Sequence, residues 1–303
     1  MPGSVRIFEV GPRDGLQNES KLLPLSQKLE FVARLVDAGL KDIEVGAFVH
    51  PRWVPQMSES DALVPQLPRH DGVRYWALIP NRRGLERAIA AGVTHGCLLM
   101  SATESHSRRN LNRSIADGLA ENEALAREAS THGLTLRGYI SVVFGCPFEG
   151  NVSLDVTHRI ADHYASIGVS EISLGDTTGM GHPDQVRAAA QRFIGAFGAE
   201  RIAFHFHDTR GTGLANAYAV LDQGARTLDT SAGGIGGCPY APGASGNLAT
   251  EDLLHLLGRM NIETGVDVAK IVETSRWLRD GAGLTITAKY FQFATSGTSE
   301  SLR

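Results

Sequence analysis

A closed (β/α)8 TIM barrel with a C-terminal helical extension is the fold class this sequence predicts, and three observations predict it. Eight short runs of β-type composition recur along the chain, amphipathic helical stretches separate them, and several of those stretches stop at a glycine. Strand–helix alternation implies parallel pairing, and eight repeats suit a closed barrel better than an open doubly wound sheet. The 303 residues hold one barrel of the usual ~250 residues plus an appendage.

The runs fall at residues 5–10, 42–48, 74–79, 95–102, 135–144, 171–176, 201–208 and 227–231. After the first, residues 26–38 place Leu29, Val32, Ala33, Leu35 and Val36 on one helical face, and Gly39 follows as a C-cap. The link after the second run carries Pro51, Pro55, Pro65 and Pro68 and is the least regular. Helical stretches at 85–91, 117–132, 156–167, 183–197, 214–223 and 250–258 complete the alternation. A further amphipathic helix at 266–279 lies beyond the eighth unit, and the polar tail 295–303 is expected to fray. The domain expectation is a catalytic barrel over 4–262, with helix and tail over 263–303 packed on it.

Apolar residues make up 42% and charged residues 20%, enough for a large core. No apolar run approaches the ~18 residues that span a membrane. The first residues show no basic-then-apolar leader, so a cytoplasmic protein is expected. A net charge of −4 argues against nucleic acid as a partner. Cys97, Cys146 and Cys238 are odd in number and far apart, which fits neither a disulfide framework nor a paired-thiol zinc site.

In such a barrel the chemistry sits where strands end, and unusual polar residues fall there. The first strand runs into Gly11-Pro12-Arg13-Asp14-Gly15-Leu16-Gln17, a charged pair held among turn residues. The seventh reads Phe204-His205-Phe206-His207-Asp208, and a spacing of two puts both imidazoles on the inner face. With Asp14 they make two nitrogens and one carboxylate, a donor set for Mg²⁺, Mn²⁺ or Zn²⁺ among which spacing does not choose. After the eighth strand, six glycines between Ala232 and Asn247 suggest a loop that closes over substrate carrying Cys238. Glu44 and Asp176 are carboxylates near the same rim. Arg82, Arg83, Arg108, Arg109 and Arg113 are candidates to meet an anionic group above it, against the ordinary reading of a solvated face.

Taken together, Gly11–Glu19, residues 172–177, His205-x-His207-Asp208-Thr209 and the run from Gly236-Gly237-Cys238-Pro239-Tyr240 to Asn247 and Asp252 make the chain resemble the hydroxymethylglutaryl-CoA lyases of the DRE-TIM metallolyase superfamily. The resemblance implies a divalent metal, Mg²⁺ or Mn²⁺ with Zn²⁺ still open, held by Asp14, His205, His207 and Asn247. It implies catalytic roles for Arg13, Asp14 and Cys238, and substrate binding by Arg13, Gln17, Glu44 and Asp176. The implied reaction is retro-Claisen cleavage of a 3-hydroxy-3-methylglutaryl thioester to acetyl-CoA and acetoacetate, with an acyl-CoA as partner and an exposed last-helix face available for a homodimer. Whether Asp14 or a metal-bound histidine is the base stays open. Arg210 stands where these lyases usually have tyrosine, and Ala47 where they have a small polar residue. The alternative is therefore the same chemistry on a bulkier 3-hydroxy-3-alkylglutaryl-CoA such as the isohexenyl analogue; a non-catalytic metal- and CoA-binding module is the remote one.

Overall fold

The computed structural model describes residues 1–238 and 241–296, with 237, 238 and 241–245 described as backbone. Eight strands, β1 (Arg6–Glu9), β2 (Asp42–Ala47), β3 (Arg74–Leu78), β4 (His95–Ser101), β5 (Thr135–Ser141), β6 (Glu171–Asp176), β7 (Ile202–Phe206) and β8 (Thr227–Thr230), pair in parallel and in chain order. The last returns to the first, with Ile7 opposite Leu228 and Glu9 opposite Thr230, so the (β/α)8 barrel closes without an edge.

The helices cover the barrel with the apolar stripes their sequences carry. In α1 (Leu25–Asp37), Phe31, Val32 and Leu35 are buried where the periodicity puts them. The proline-rich link after β2 forms only short turns around α2 (Ser60–Leu63). Then come α3 (Arg82–Ala90), α4 (Glu104–Leu111), α5 (Ile115–Thr131), α6 (Leu154–Ser166), α7 (Pro183–Phe197), α8 (Gly213–Leu221) and α9 (Thr250–Arg259). Beyond the eighth unit, α10 (Val268–Asp280) packs against α1, and α11 (Lys289–Thr295) packs against α9.

Three features depart from the sequence reading. Helix α4 has no apolar stripe in Glu-Ser-His-Ser-Arg-Arg-Asn-Leu, so periodicity could not find it. Strand β5 stops at Ser141 rather than Phe144, because Val142 takes φ 55°, a left-handed conformation that ends the ladder. The glycine-rich stretch after β8, expected as a loop that closes over substrate, contains an antiparallel hairpin of β9 (Gly237–Cys238) and β10 (Ala241–Ser245), which its glycine content did not announce. The expected fraying beyond residue 296 lies outside the described residues. Among the described residues no helix is long and apolar enough to cross a membrane.

A belt of ion pairs fills the barrel at the starts of the strands. Asp42 receives Arg74 Nε at 2.7 Å and Arg6 Nη1 at 3.2 Å, while Glu171 receives Arg137 Nε at 2.6 Å. Buried charges persist only when paired and hydrogen-bonded, and this belt leaves the opposite, C-terminal mouth as the open end.

Candidate active site and metal centre

The site grows from the end of β1. Val10 leads into a π-helical turn over Gly11–Gly15, closed by Gly15 N–H donating to Val10 O at 3.1 Å. That wide turn presents Arg13 and Asp14 toward the barrel mouth. Arg13 is 6% exposed and donates through Nε to Glu44 Oε2 at 2.7 Å and through Nη1 to Asp14 Oδ1 at 2.5 Å. Tyr139 Oη donates to the same Glu44 oxygen at 3.0 Å, and the guanidinium lies over the Tyr139 ring, 5.5 Å from its centroid. Glu44 therefore sits inside the barrel, mid-strand and fully buried, below the rim where the sequence put it.

Strand β7 carries His205, and His207 follows one residue past its end, the strand stopping at Phe206 where the sequence run extends to residue 208. Their Nε2 atoms are 3.1 Å apart, and each lies 3.9 Å from Asp14 Oδ2; the three donor atoms all fall within 4.8 Å of one another. Bonds of ~2.1 Å meeting at right angles on one ion place neighbouring donors ~3 Å apart, so the histidine pair has the separation of adjacent ligands. Burial of the ring, together with the His205 imidazole beside it, lowers the His207 pKa to about 3, which keeps a free ligand lone pair at neutral pH. Burial alone would raise the Asp14 carboxyl, but Arg13 and the two histidines hold it well below the usual carboxylate range.

Asn247 completes the cluster through the chain that follows the hairpin. Leu248 N–H donates to Phe206 O at 3.0 Å and Ser231 N–H to Leu248 O at 3.0 Å, so this segment wedges between the ends of β7 and β8 and bridges Asn247 to His207. The Asn247 amide donates to Asp14 Oδ2 at 3.1 Å and to Ile235 O at 3.2 Å, while its Oδ1 is buried with no hydrogen-bond partner. An orphaned buried carbonyl oxygen beside three other donors is what a ligand position looks like before a cation is added. Gly236 must be glycine here: at φ 111° an added Cβ would sit 2.6 Å from Asn247 Nδ2.

The HMGL-like family model matches residues 4–278. The chain belongs to the HMGL-like family. A hydroxymethylglutaryl-CoA lyase of Pseudomonas mevalonii is 44% identical over 94% of this chain and 98% of its own. A Pseudomonas aeruginosa protein named 3-hydroxy-3-isohexenylglutaryl-CoA/hydroxy-methylglutaryl-CoA lyase is 44% identical over 91% and 92%. An HMG-CoA lyase from Acinetobacter baumannii, solved in complex with coenzyme A and 3-methylmalate, superposes with a TM-score of 0.93 at 34% identity, covering 99% of this chain and 97% of that one.

Other HMGL-like site candidates are less converged. Asp176 is fully buried, and its carboxylate accepts from the backbone amides of Met180 and Gly181 at 2.9 to 3.1 Å; burial raises its pKa to about 6. Gln17 is half-buried just past the π-turn. The Cys238 backbone pairs with Ala241, and its side chain lies outside the described residues. Arg109 stacks on Phe148 at 4.2 Å, Arg108 faces Glu104 at 3.7 Å and Arg113 faces Glu121 at 3.9 Å, while Arg82 and Arg83 flank a cavity of about 530 Å³. Two residues the sequence reading passed over are tied to this cluster. Tyr139 lies four residues into β5, and Asp229 lies opposite His205 in the β7–β8 register. A charged residue inside an otherwise buried strand was the available signal for Asp229.

Proposed function

We propose that the chain is a divalent-metal-dependent carbon–carbon lyase that cleaves 3-hydroxy-3-methylglutaryl-CoA to acetyl-CoA and acetoacetate. The observation that carries this reading is the convergence of Asp14, His205, His207 and the orphaned Asn247 oxygen beside Arg13 at the mouth of the barrel. The lyases named among its relatives support it, and the coenzyme A in the Acinetobacter complex supports an acyl-CoA substrate.

Asp14, His205, His207 and Asn247 would hold a divalent ion, Mg²⁺, Mn²⁺ or Zn²⁺. Once bound, the ion supplies Lewis acidity that brings the substrate's tertiary hydroxyl within reach of deprotonation near neutral pH. With both imidazole lone pairs committed to the ion, Asp14 takes that proton, the bond between C2 and C3 breaks, and C3 becomes the ketone of acetoacetate. The electron pair passes to the thioester, where the Arg13 guanidinium stabilises the charge on oxygen. Glu44 and Tyr139 fix the guanidinium in place. The Cys238 thiol protonates C2 of the resulting enolate and releases acetyl-CoA. Gln17 and Asp176 orient the acyl group.

The second reading, a bulkier 3-alkyl group, rests on the Pseudomonas aeruginosa relative's double name and on Ala47 and Arg210. Ala47 is fully buried at the end of β2 and carries no hydroxyl. Arg210 is exposed and donates to Thr178 O at the rim. Acetyl-CoA release from purified protein, measured on the methyl and isohexenyl thioesters side by side, decides between the two. Release from neither refutes both.

A further inference from the structure

The two candidate metal histidines are supported unequally. Both Nδ1 atoms are buried, and neither makes a well-aligned hydrogen bond among the described residues. That of His205 nevertheless has a carboxylate beside it, Asp229 Oδ2 at 3.3 Å, because the β7–β8 register sets the two residues opposite each other. Asp229 is itself clamped from the far side. Arg137 donates through Nη2 to Oδ1 at 2.6 Å and through Nη1 to Oδ2 at 3.0 Å, and Ser173 Oγ donates to Oδ2 at 3.0 Å. Arg137 is fully buried, tied to Glu171 and packed between the rings of Phe8 and Tyr139 at 3.8 and 4.8 Å. The carboxylate thus has one orientation, fixed by groups that belong to the ion-pair belt and not to the site.

We infer that Asp229 is a positioning residue that sets the tautomer of His205: a carboxylate against Nδ1 requires the proton there and turns the Nε2 lone pair toward Asp14, His207 and Asn247. A bare Nδ1 lone pair facing a carboxylate would be repelled, so the opposite tautomer is excluded at this site. Asp229 cannot serve as a ligand in its own right, since Arg137 and Ser173 occupy its oxygens and the His205 ring stands between it and the donor cluster. The ion-pair belt and the metal site are therefore one connected structure, joined through a single carboxylate.

The inference rests on the metal reading above, and its test separates the two. Divalent binding to the full-length chain is titrated calorimetrically with Mn²⁺ and Mg²⁺, and the ring-nitrogen shifts of His205 are read by ¹⁵N NMR in the Mg²⁺-loaded and stripped protein. The expected wild-type result is a protonated Nδ1 on His205 in both states. Asp229→Asn offers an amide in place of a carboxylate and should weaken Mn²⁺ binding by ~10–100-fold, the range for losing a carboxylate that orients a ligating histidine. Asp42→Asn breaks the belt at Arg74 and Arg6, two residues that make no hydrogen bond to Asp229, and should lower thermal stability while leaving the Mn²⁺ affinity unchanged. Wild-type affinity in Asp229→Asn overturns the inference, as does equal loss in Asp42→Asn. If Asp229→Asn does not fold, the wild-type spectrum decides, and a His205 ring carrying its proton on Nε2 overturns it. Absence of any divalent binding to the wild type refutes the metal reading instead, while the tautomer in the stripped protein still tests Asp229.

Discussion

Replacing Arg13 by methionine separates chemistry from architecture, because the proposed mechanism gives the guanidinium a role in each. In that mechanism its loss removes the positive charge that stabilises the thioester oxyanion, an effect worth ~10²–10³ in kcat or ~3–4 kcal/mol when one such donor is deleted. It also strands Glu44, which is fully buried and held by Arg13 at 2.7 Å. An unpaired buried carboxylate costs ~3–5 kcal/mol if it stays ionised. Glu44 has an escape, since burial already raises its pKa even with Arg13 present, and without the arginine it takes up a proton. The expected outcome for Arg13→Met is a 10²–10³-fold fall in kcat, a lower unfolding midpoint that recovers on acidification, and unchanged metal content by elemental analysis. Arg13→Met/Glu44→Gln removes the stranded charge, so it should regain the midpoint at neutral pH and none of the rate. Recovery of turnover in the double variant, or full turnover in Arg13→Met once metal is restored, would show that Arg13 is structural and refute the mechanism as drawn.

Three further outcomes follow from other parts of the molecule. Asn247→Ala deletes the orphaned amide oxygen and should weaken Mn²⁺ binding by at least the ~10–100-fold that loss of an outer partner brings, as read by calorimetry. Cys238→Ser should lower kcat sharply with little change in substrate affinity, because a hydroxyl is a far weaker acid than a thiol. Alkylation that inactivates the parent, and from which a substrate analogue protects it, should leave the residual rate of Cys238→Ser untouched. Finally, burial raises the Glu9 carboxyl from 4.5 to about 7 despite the Thr250 hydroxyl and the Ala232 and Gly11 amides that it accepts. The folded chain then keeps a proton that the unfolded chain releases. Glu9 thus lowers stability progressively between pH 4.5 and about 7, by up to about 3 kcal/mol, with no contribution to the slope outside that window. Glu9→Gln mimics the protonated form, so urea midpoints across that range should fall less with rising pH than in the parent; parallel curves would show that Glu9 ionises normally.

Much of the site was legible because strand geometry converts spacing into direction. A period of two puts His205 and His207 on one face, and a strand end puts Asp14 at the mouth, so the convergence of these three side chains could be read without coordinates. Asn247 came only through family resemblance, since nothing in its neighbourhood announces that the chain re-enters between β7 and β8 and strands a carbonyl oxygen there. Glu44 was seen but placed too high, at the strand end rather than within it. Asp229 and Tyr139 were invisible for a related reason: their roles depend on the ladder register and on Arg137 reaching across the barrel from β5 to β8, which no local pattern encodes. Among the elements, α1 and α7 were readable from their apolar stripes, whereas α4 is polar throughout and is held by its place after β4.

The central claim is that Asp14, His205, His207 and Asn247 serve turnover by holding a divalent cation. It is tested most directly by stripping the purified protein with chelator, verifying the metal content by elemental analysis, and measuring acetyl-CoA release from 3-hydroxy-3-methylglutaryl-CoA before and after adding Mg²⁺ or Mn²⁺. The account predicts no release from the stripped protein and recovery on adding either ion, with His205→Ala silent in both conditions. Full activity in a sample verified to be metal-free would contradict it.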